Sequence, residues 1–213
     1  MPRTSRSLDQ KLIRTARATL ARTGFSGLSV RAVAKRAGVN LGMFHYHFKS
    51  KDAFVGRLLQ ETYEDFFVTF REAAEGDGGP GTRLRRVLLA FGRFARENRR
   101  FYALLARELL NDQPQCLRFL KENFPRHSAI LMGLIEECRK AKLVRDLPAP
   151  MLAAFAMTAM GTPNILVAAL ERRKPRDVRG MPFPRFRAAL ISDAAIEARA
   201  DMVLAGLSRP EAA

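Results

Sequence analysis

The chain has 213 residues, 47% of them apolar and 27% charged, enough to bury a core without disulfides or a structural metal. Its 37 Lys and Arg against 21 Asp and Glu leave a net charge of +16, which favours a polyanionic partner, nucleic acid or an anionic membrane surface. Cys116 and Cys138 are too few for a disulfide framework and fit a reducing compartment, and the basic N-terminus has no apolar run after it, so no signal peptide is expected.

From the N-terminus onward the pattern is helical, with no sustained period-two alternation. Ser7-Leu8-Asp9-Gln10 has the form of a capping box and predicts a helix start, after which Leu12, Ile13, Ala16 and Leu20 share one face and Gly24 supplies a stop. Ser29 caps a second, short helix with Val33, Ala34 and Ala37 inward, ended by Gly38. Asn40 caps a third over 41–48, and Ser50 a fourth that continues through Phe54, Leu58, Leu59, Tyr63, Phe66, Phe67 and Phe70 to about residue 75. The Gly-Asp-Gly-Gly-Pro-Gly run at 76–81 predicts a loop.

Helices over 82–98 and 99–110 follow, then a turn at 111–113. Pro125 predicts a break between two helices at 114–123 and 125–142. An uncharged helix over 151–170, a Pro- and Arg-rich connection over 171–187 and a last helix over about 192–207 complete an all-α chain. The uncharged stretch is long enough to span a bilayer, but its alanines, Pro148, Pro150, Gly161, Pro163 and Asn164 suit a buried or interfacial helix, so no membrane is expected.

Charge is concentrated at one end. Residues 1–51 hold 11 Lys and Arg against Asp9 alone. Within this basic head, residues 30–49 meet the steric demands of a helix-turn-helix. Ala34 is small where two helices approach, Gly38 accepts a left-handed turn, and Phe44 pins the next helix against the first. Val33, Ala37, Val39 and Phe48 complete a small core with Leu12, Ile13, Leu20, Phe25 and Leu28. With Phe44 and Phe48 inward, a period of 3.6 turns Gly42, Met43, His45 and Tyr46 outward, with Leu41 and His47 on the flanks. Such a face fits a major groove. It lacks Arg, Asn and Gln, so base reading would rest on Tyr46, His45, apolar contacts from Leu41 and Met43, and DNA shape.

Residues 25–54, FSGLSVRAVAKRAGVNLGMFHYHFKSKDAF, resemble the N-terminal domain of the tetracycline-repressor (TetR) family, matching at Gly38, Val39, Gly42, Phe44, His47, Phe48, Lys51, Asp52 and Phe54. The resemblance implies a three-helix DNA-binding domain over 1–51 and a larger helical ligand-binding and dimerisation domain over 52–213. It implies DNA contacts at Arg31, Leu41, Gly42, Met43, His45, Tyr46, His47 and Lys51. His45 departs from the usual tyrosine, and an imidazole there would make a phosphate contact pH-dependent. Asn40 replaces the common serine, a neutral change for a cap. A double-stranded operator, a small-molecule effector, a cytoplasmic homodimer paired through 151–170 and 192–207, and repression relieved by the effector are implied with it.

Other chemistries find little support. His45 and His47 point to different helix faces and make a poor metal pair, and no catalytic set or phosphate loop stands out, so no metal, cofactor or enzymatic activity is expected. Phe66, Phe67, Phe70, Met151, Met157 and Met160 fit either a core or a ligand cavity. The cations at 172–187 fit a solvated loop, or an auxiliary contact to DNA or an acidic ligand. The alternative from another class is a helical module that binds small molecules or proteins without reading DNA.

Overall fold

The computed structural model describes residues 3–23 and 27–209. Ten helices are found among them: α1 (Arg3–Thr23), α2 (Val30–Ala37), α3 (Leu41–Phe48), α4 (Lys51–Glu75), α5 (Pro80–Glu97), α6 (Arg99–Leu110), α7 (Pro114–Lys140), α8 (Ala149–Arg173), α9 (Phe183–Ile191) and α10 (Asp193–Leu207). A two-stranded antiparallel hairpin, β1 (Asp177–Val178) and β2 (Met181–Pro182), stands between α8 and α9. The chain divides into two compact units, Met1–Glu64 with Leu104–Glu122, and Asp65–Ala103 with Asn123–Ala213.

In the first unit, one apolar stripe per helix builds the core. Leu12, Ile13, Ala16 and Leu20 of α1 are buried against Val33, Ala34 and Ala37 of α2 and Phe44 and Phe48 of α3. Gly24 and Phe25 lie outside the described residues. The expected start of α1 at Ser7 is corrected: helical backbone already begins at Arg3, so the Ser7 segment lies inside the helix rather than at its cap. A capping box states a local preference, and a helix can extend past it where the upstream residues also favour helix.

In the second unit, α8 and α10 pack on α5 and on each other. Leu84, Val87, Leu88, Phe91 and Ala95 of α5 are buried, with Leu152, Ala156, Met160 and Val167 of α8 and Ile196, Ala200 and Val203 of α10. Gly92 permits the contact, because a Cβ there would fall 2.8 Å from both Ile196 Cγ2 and Met160 Cε. α8 is, among the described residues, the one helix long and apolar enough to cross a membrane, yet one of its faces is buried in this unit.

Three further boundaries differ from expectation. α5 begins at Pro80, two residues inside the predicted loop, because proline at a first turn gives up only an N–H that has no helical partner. Pro125 does not break α7, which runs unbroken to Lys140. The predicted connection at 171–187 instead holds the last turn of α8, the hairpin and most of α9.

Candidate nucleic-acid interface

The turn between α2 and α3 is set by local chemistry. Ser29 Oγ accepts from the Ala32 N–H at the start of α2. At its end Gly38 turns left-handed (φ 63°, ψ 37°), and the Gly38 and Val39 N–H groups donate to Lys35 and Ala34, closing the helix with a Schellman motif. Asn40 Oδ1 then accepts from the Gly42 N–H at 2.8 Å and opens α3. The α3–α4 link is tighter. Lys49 has φ 57° and ψ −49°, and the Ser50 N–H donates to Phe48 O at 2.5 Å, a γ-turn of the rarer and strained hand. Ser50 Oγ accepts from the Ala53 N–H and caps α4.

A triangle of rings anchors α3 from within. Phe44 and Phe54 lie 4.8 Å apart between ring centres, Phe48 and Phe54 4.7 Å, and Phe44 and Phe48 5.2 Å. Phe44 and Phe54 are fully buried and Phe48 nearly so. The opposite face of α3 is therefore turned to solvent. Tyr46 is 80% exposed and Met43 46%, with Gly42 and His45 exposed and Leu41 half-buried beside them. Arg31 is exposed in the first turn of α2, and Lys51, half-buried, begins α4.

His47 is placed differently from the other candidates. Its side chain is only 6% exposed, and Nδ1 lies 2.7 Å from Asp9 Oδ1 of α1. Asp52 Oδ1 accepts from Gln115 Nε2 of α7 at 3.0 Å. Both acids of residues 1–52 thus face protein partners, while Lys11, Arg31, Lys35, Arg36 and Lys49 are exposed. A face with outward cations and engaged acids attracts phosphate. Sequence reasoning missed Asp9 as the partner of His47 and Phe54 as the third ring. The placing of Phe54 shortly past the end of α3 was its visible signal.

A second concentration of chemistry lies in the second unit. Phe66 packs on Phe94 at 4.7 Å, on His127 at 5.7 Å and on Phe91 at 6.0 Å, and Phe91 meets Tyr102 at 6.0 Å. Tyr102 Oη faces Gly161, where a Cβ would come within 2.8 Å. Burial pushes the Tyr102 phenol up, and burial holds the His127 imidazole below its ordinary value. One turn along α8, Asn164 is fully buried. Its Nδ2 donates to Met160 O at 3.0 Å, and its Oδ1 has no partner among the described residues. Phe66, Phe70 and Met160 are buried as either sequence reading allows, whereas Met151 is 60% exposed and lines no interior. Tyr102 and Asn164 were not singled out from sequence. No group of three or more His, Cys, Asp or Glu able to hold a metal occurs among the described residues.

Residues 12–58 match the family described as bacterial regulatory proteins, tetR family. The chain is 29% identical over 146 residues to "Probable HTH-type transcriptional regulator YttP" of Bacillus subtilis, covering 68% of this chain and 70% of that protein. It is 30% identical over 80 residues to the HTH-type transcriptional repressor KstR2 of Mycobacterium tuberculosis, a sequence match that covers 38% of this chain and 40% of the relative. In fold it is similar to the solved structure of KstR2, a ketosteroid transcriptional regulator (TM-score 0.69, 18% identity, 95% of each chain). It is also similar to FadR from Bacillus subtilis in complex with stearoyl-CoA (TM-score 0.71, 16% identity, 93% of this chain and 98% of that one).

Proposed function

We propose, from the match of residues 12–58 to the tetR family of bacterial regulatory proteins and the likeness to its relatives, that the chain is a dimeric, cytoplasmic repressor released from a palindromic operator by a small molecule. Residues 1–51 read the DNA and 52–213 sense and dimerise. The observation that carries the DNA reading is the polarity of α3, with Phe44 and Phe48 inward and Tyr46 and Met43 outward. Gly42, Met43, His45 and Tyr46 meet base edges, Leu41 adds an apolar edge, and Arg31 and Lys51 bind phosphates. His47, drawn toward Asp9, serves this face by fixing α3 on α1 and meets DNA only at its rim.

Two heads on one two-fold axis would enter successive major grooves about 34–36 Å apart. The pairing surface is α8 with α10, which expose Met151, Phe155, Leu166 and Met202 beside small residues. The effector is an apolar molecule with a hydrogen-bonding group, received among Phe66, Phe91, Tyr102 and Asn164. The unpaired Asn164 Oδ1 supports this. Two relatives in fold support it as well, FadR in its complex with stearoyl-CoA and KstR2 as a ketosteroid regulator. An effector that binds one conformation better lowers operator affinity by its differential affinity for the two states. α4 is the lever, since its residues belong to both units.

Selection of bound duplexes from a random pool tests the reading. The expected result is a shared palindromic motif whose recovery Tyr46→Ala degrades by about 1–3 kcal/mol at one base position. Lys51→Ala, present twice in the dimer, should weaken every duplex alike and lower the salt slope by about 2. Retained fragments with no common motif would favour a binding module that does not read sequence.

A further inference from the structure

Residues 172–187 carry seven Lys and Arg against Asp177, far along the chain from the basic head. Folding accounts for some of them. Arg172 and Arg173 lie in the last turn of α8 and Lys174 is its C-cap, where a helix dipole welcomes cations. Glu171 gathers Arg99 (2.8 Å), Arg187 (3.2 Å) and Arg100 (3.3 Å). Burial raises that carboxyl, but the hydrogen bonds and charges of Arg99 and Arg100 outweigh burial and hold it below the usual carboxylate range. One nearly buried acid thus faces three guanidinium groups, which leaves the cluster strongly positive.

The remaining cations stand where local structure disfavours them. Arg179 occupies the hairpin tip at φ 51° beside Gly180 at φ 84°, and the pair Val178 and Met181 closes a two-residue turn of primed type I. That position suits Asn, Asp or Gly. Asp177 Oδ1 accepts the Gly180 N–H, and its single charge offsets only one of the seven cations of this stretch. Arg185 sits in the first turn of α9 and Arg99 and Arg100 in the first turn of α6, neither of which has an acid to match its dipole. Arg173, Lys174, Arg176, Arg179 and Arg185 are all exposed, and none is ion-paired among the described residues.

We propose that this hairpin and the helix ends beside it form a second DNA contact, which grips backbone phosphates outside the bases read by α3. The proposal rests on the reading that the head binds duplex DNA. Arg176 and Arg179 at the ribbon and Arg185 just beyond it in the chain are exposed forked donors, a set that suits the phosphates of a nucleic acid. A lipid surface is less favoured, since Met181 is the one large apolar side chain exposed on the ribbon.

The test uses the full chain, with affinity for the selected operator and for a random-sequence duplex measured against salt. Variants are the triple Arg176→Gln, Arg179→Asn, Arg185→Gln, and Arg179→Asn alone. At about 0.9 per phosphate contact and two copies of each side chain per dimer, the triple variant should lower the salt slope by about 5.4 on both duplexes, so that a fourfold rise in salt costs it roughly 1,800-fold less affinity than wild type. Its base preference should not change. Arg179→Asn alone should lower the slope by about 2 per dimer while raising the thermal midpoint, because asparagine suits the turn; a purely structural role for the tip would move the midpoint and leave the slope unchanged. Unchanged slopes in a wild type that binds DNA would overturn the second contact and leave the head intact. Unchanged slopes with loss of binding to phosphatidylglycerol vesicles would assign the patch to a membrane surface instead. A wild type that binds neither duplex would sink both readings.

Discussion

At Gly38 the backbone turns with φ 63°, while a Cβ built there would meet only Lys11 Nζ at 3.8 Å, an ordinary contact. The requirement for glycine is one of conformation and not of space. Gly38→Ala should therefore cost about 1–2 kcal/mol in urea unfolding and loosen α3 with it. The two thiols illustrate the reverse, a reactive type made inert by its surroundings. Burial, with Glu108 nearby, pushes Cys116 up to about 11, and burial, with Glu137, does the same for Cys138. Both have 0% exposure, and a thiol at that value holds little thiolate at neutral pH. A disulfide-exchange reagent should leave native protein unmodified for as long as it stays folded and label both cysteines in denaturant; fast labelling without denaturant would disprove this.

Helices pack here by what their glycines allow. α5 meets α8 and α10 at Gly92, and an added methyl would have to displace Ile196 and Met160 from 2.8 Å. Gly92→Ala should destabilise by about 1–3 kcal/mol through overpacking. Gly56 on the exposed side of α4 has no neighbour within 4 Å of a built Cβ, so Gly56→Ala should stabilise by about 1 kcal/mol through helix propensity. Opposite signs for one chemical change separate close approach from propensity, and chemical denaturation of both variants reads them. Pro125 makes the same point about continuity. It cannot donate to the Lys121 carbonyl, yet α7 continues through it, so the break that proline propensity predicted does not occur.

For the molecule as a whole, the proposed pairing of α8 and α10 rests on an exposed apolar face. Phe155 is 50% exposed and Met202 64%. Phe155→Glu with Met202→Glu should convert the dimer to a folded monomer in sedimentation and weaken the operator far more than the random duplex, since two-site binding is lost. Global stability should also depend on His127. Burial, with Arg126 contributing against the hydrogen bond to the Asn123 carbonyl, holds the imidazole below 6.5. The unfolded chain takes up this proton first, so stability is full above 6.5 and declines as pH falls through that value toward the depressed one. His127→Phe should flatten the loss of thermal midpoint between about pH 7 and pH 5.5.

The head was legible in sequence because its constraints are local. A left-handed glycine, two side-chain caps and a pair of phenylalanines one helical turn apart dictate α2, α3 and the outward face of Tyr46 within about twenty residues. The inward turn of His47 to Asp9 and the meeting of Arg99, Arg100 and Arg187 on Glu171 join residues distant in the chain. Helical periodicity says which face of an element is apolar, but it carries no information on which other element will cover that face. Partner choice is a property of three-dimensional packing, and only the tertiary structure decides it.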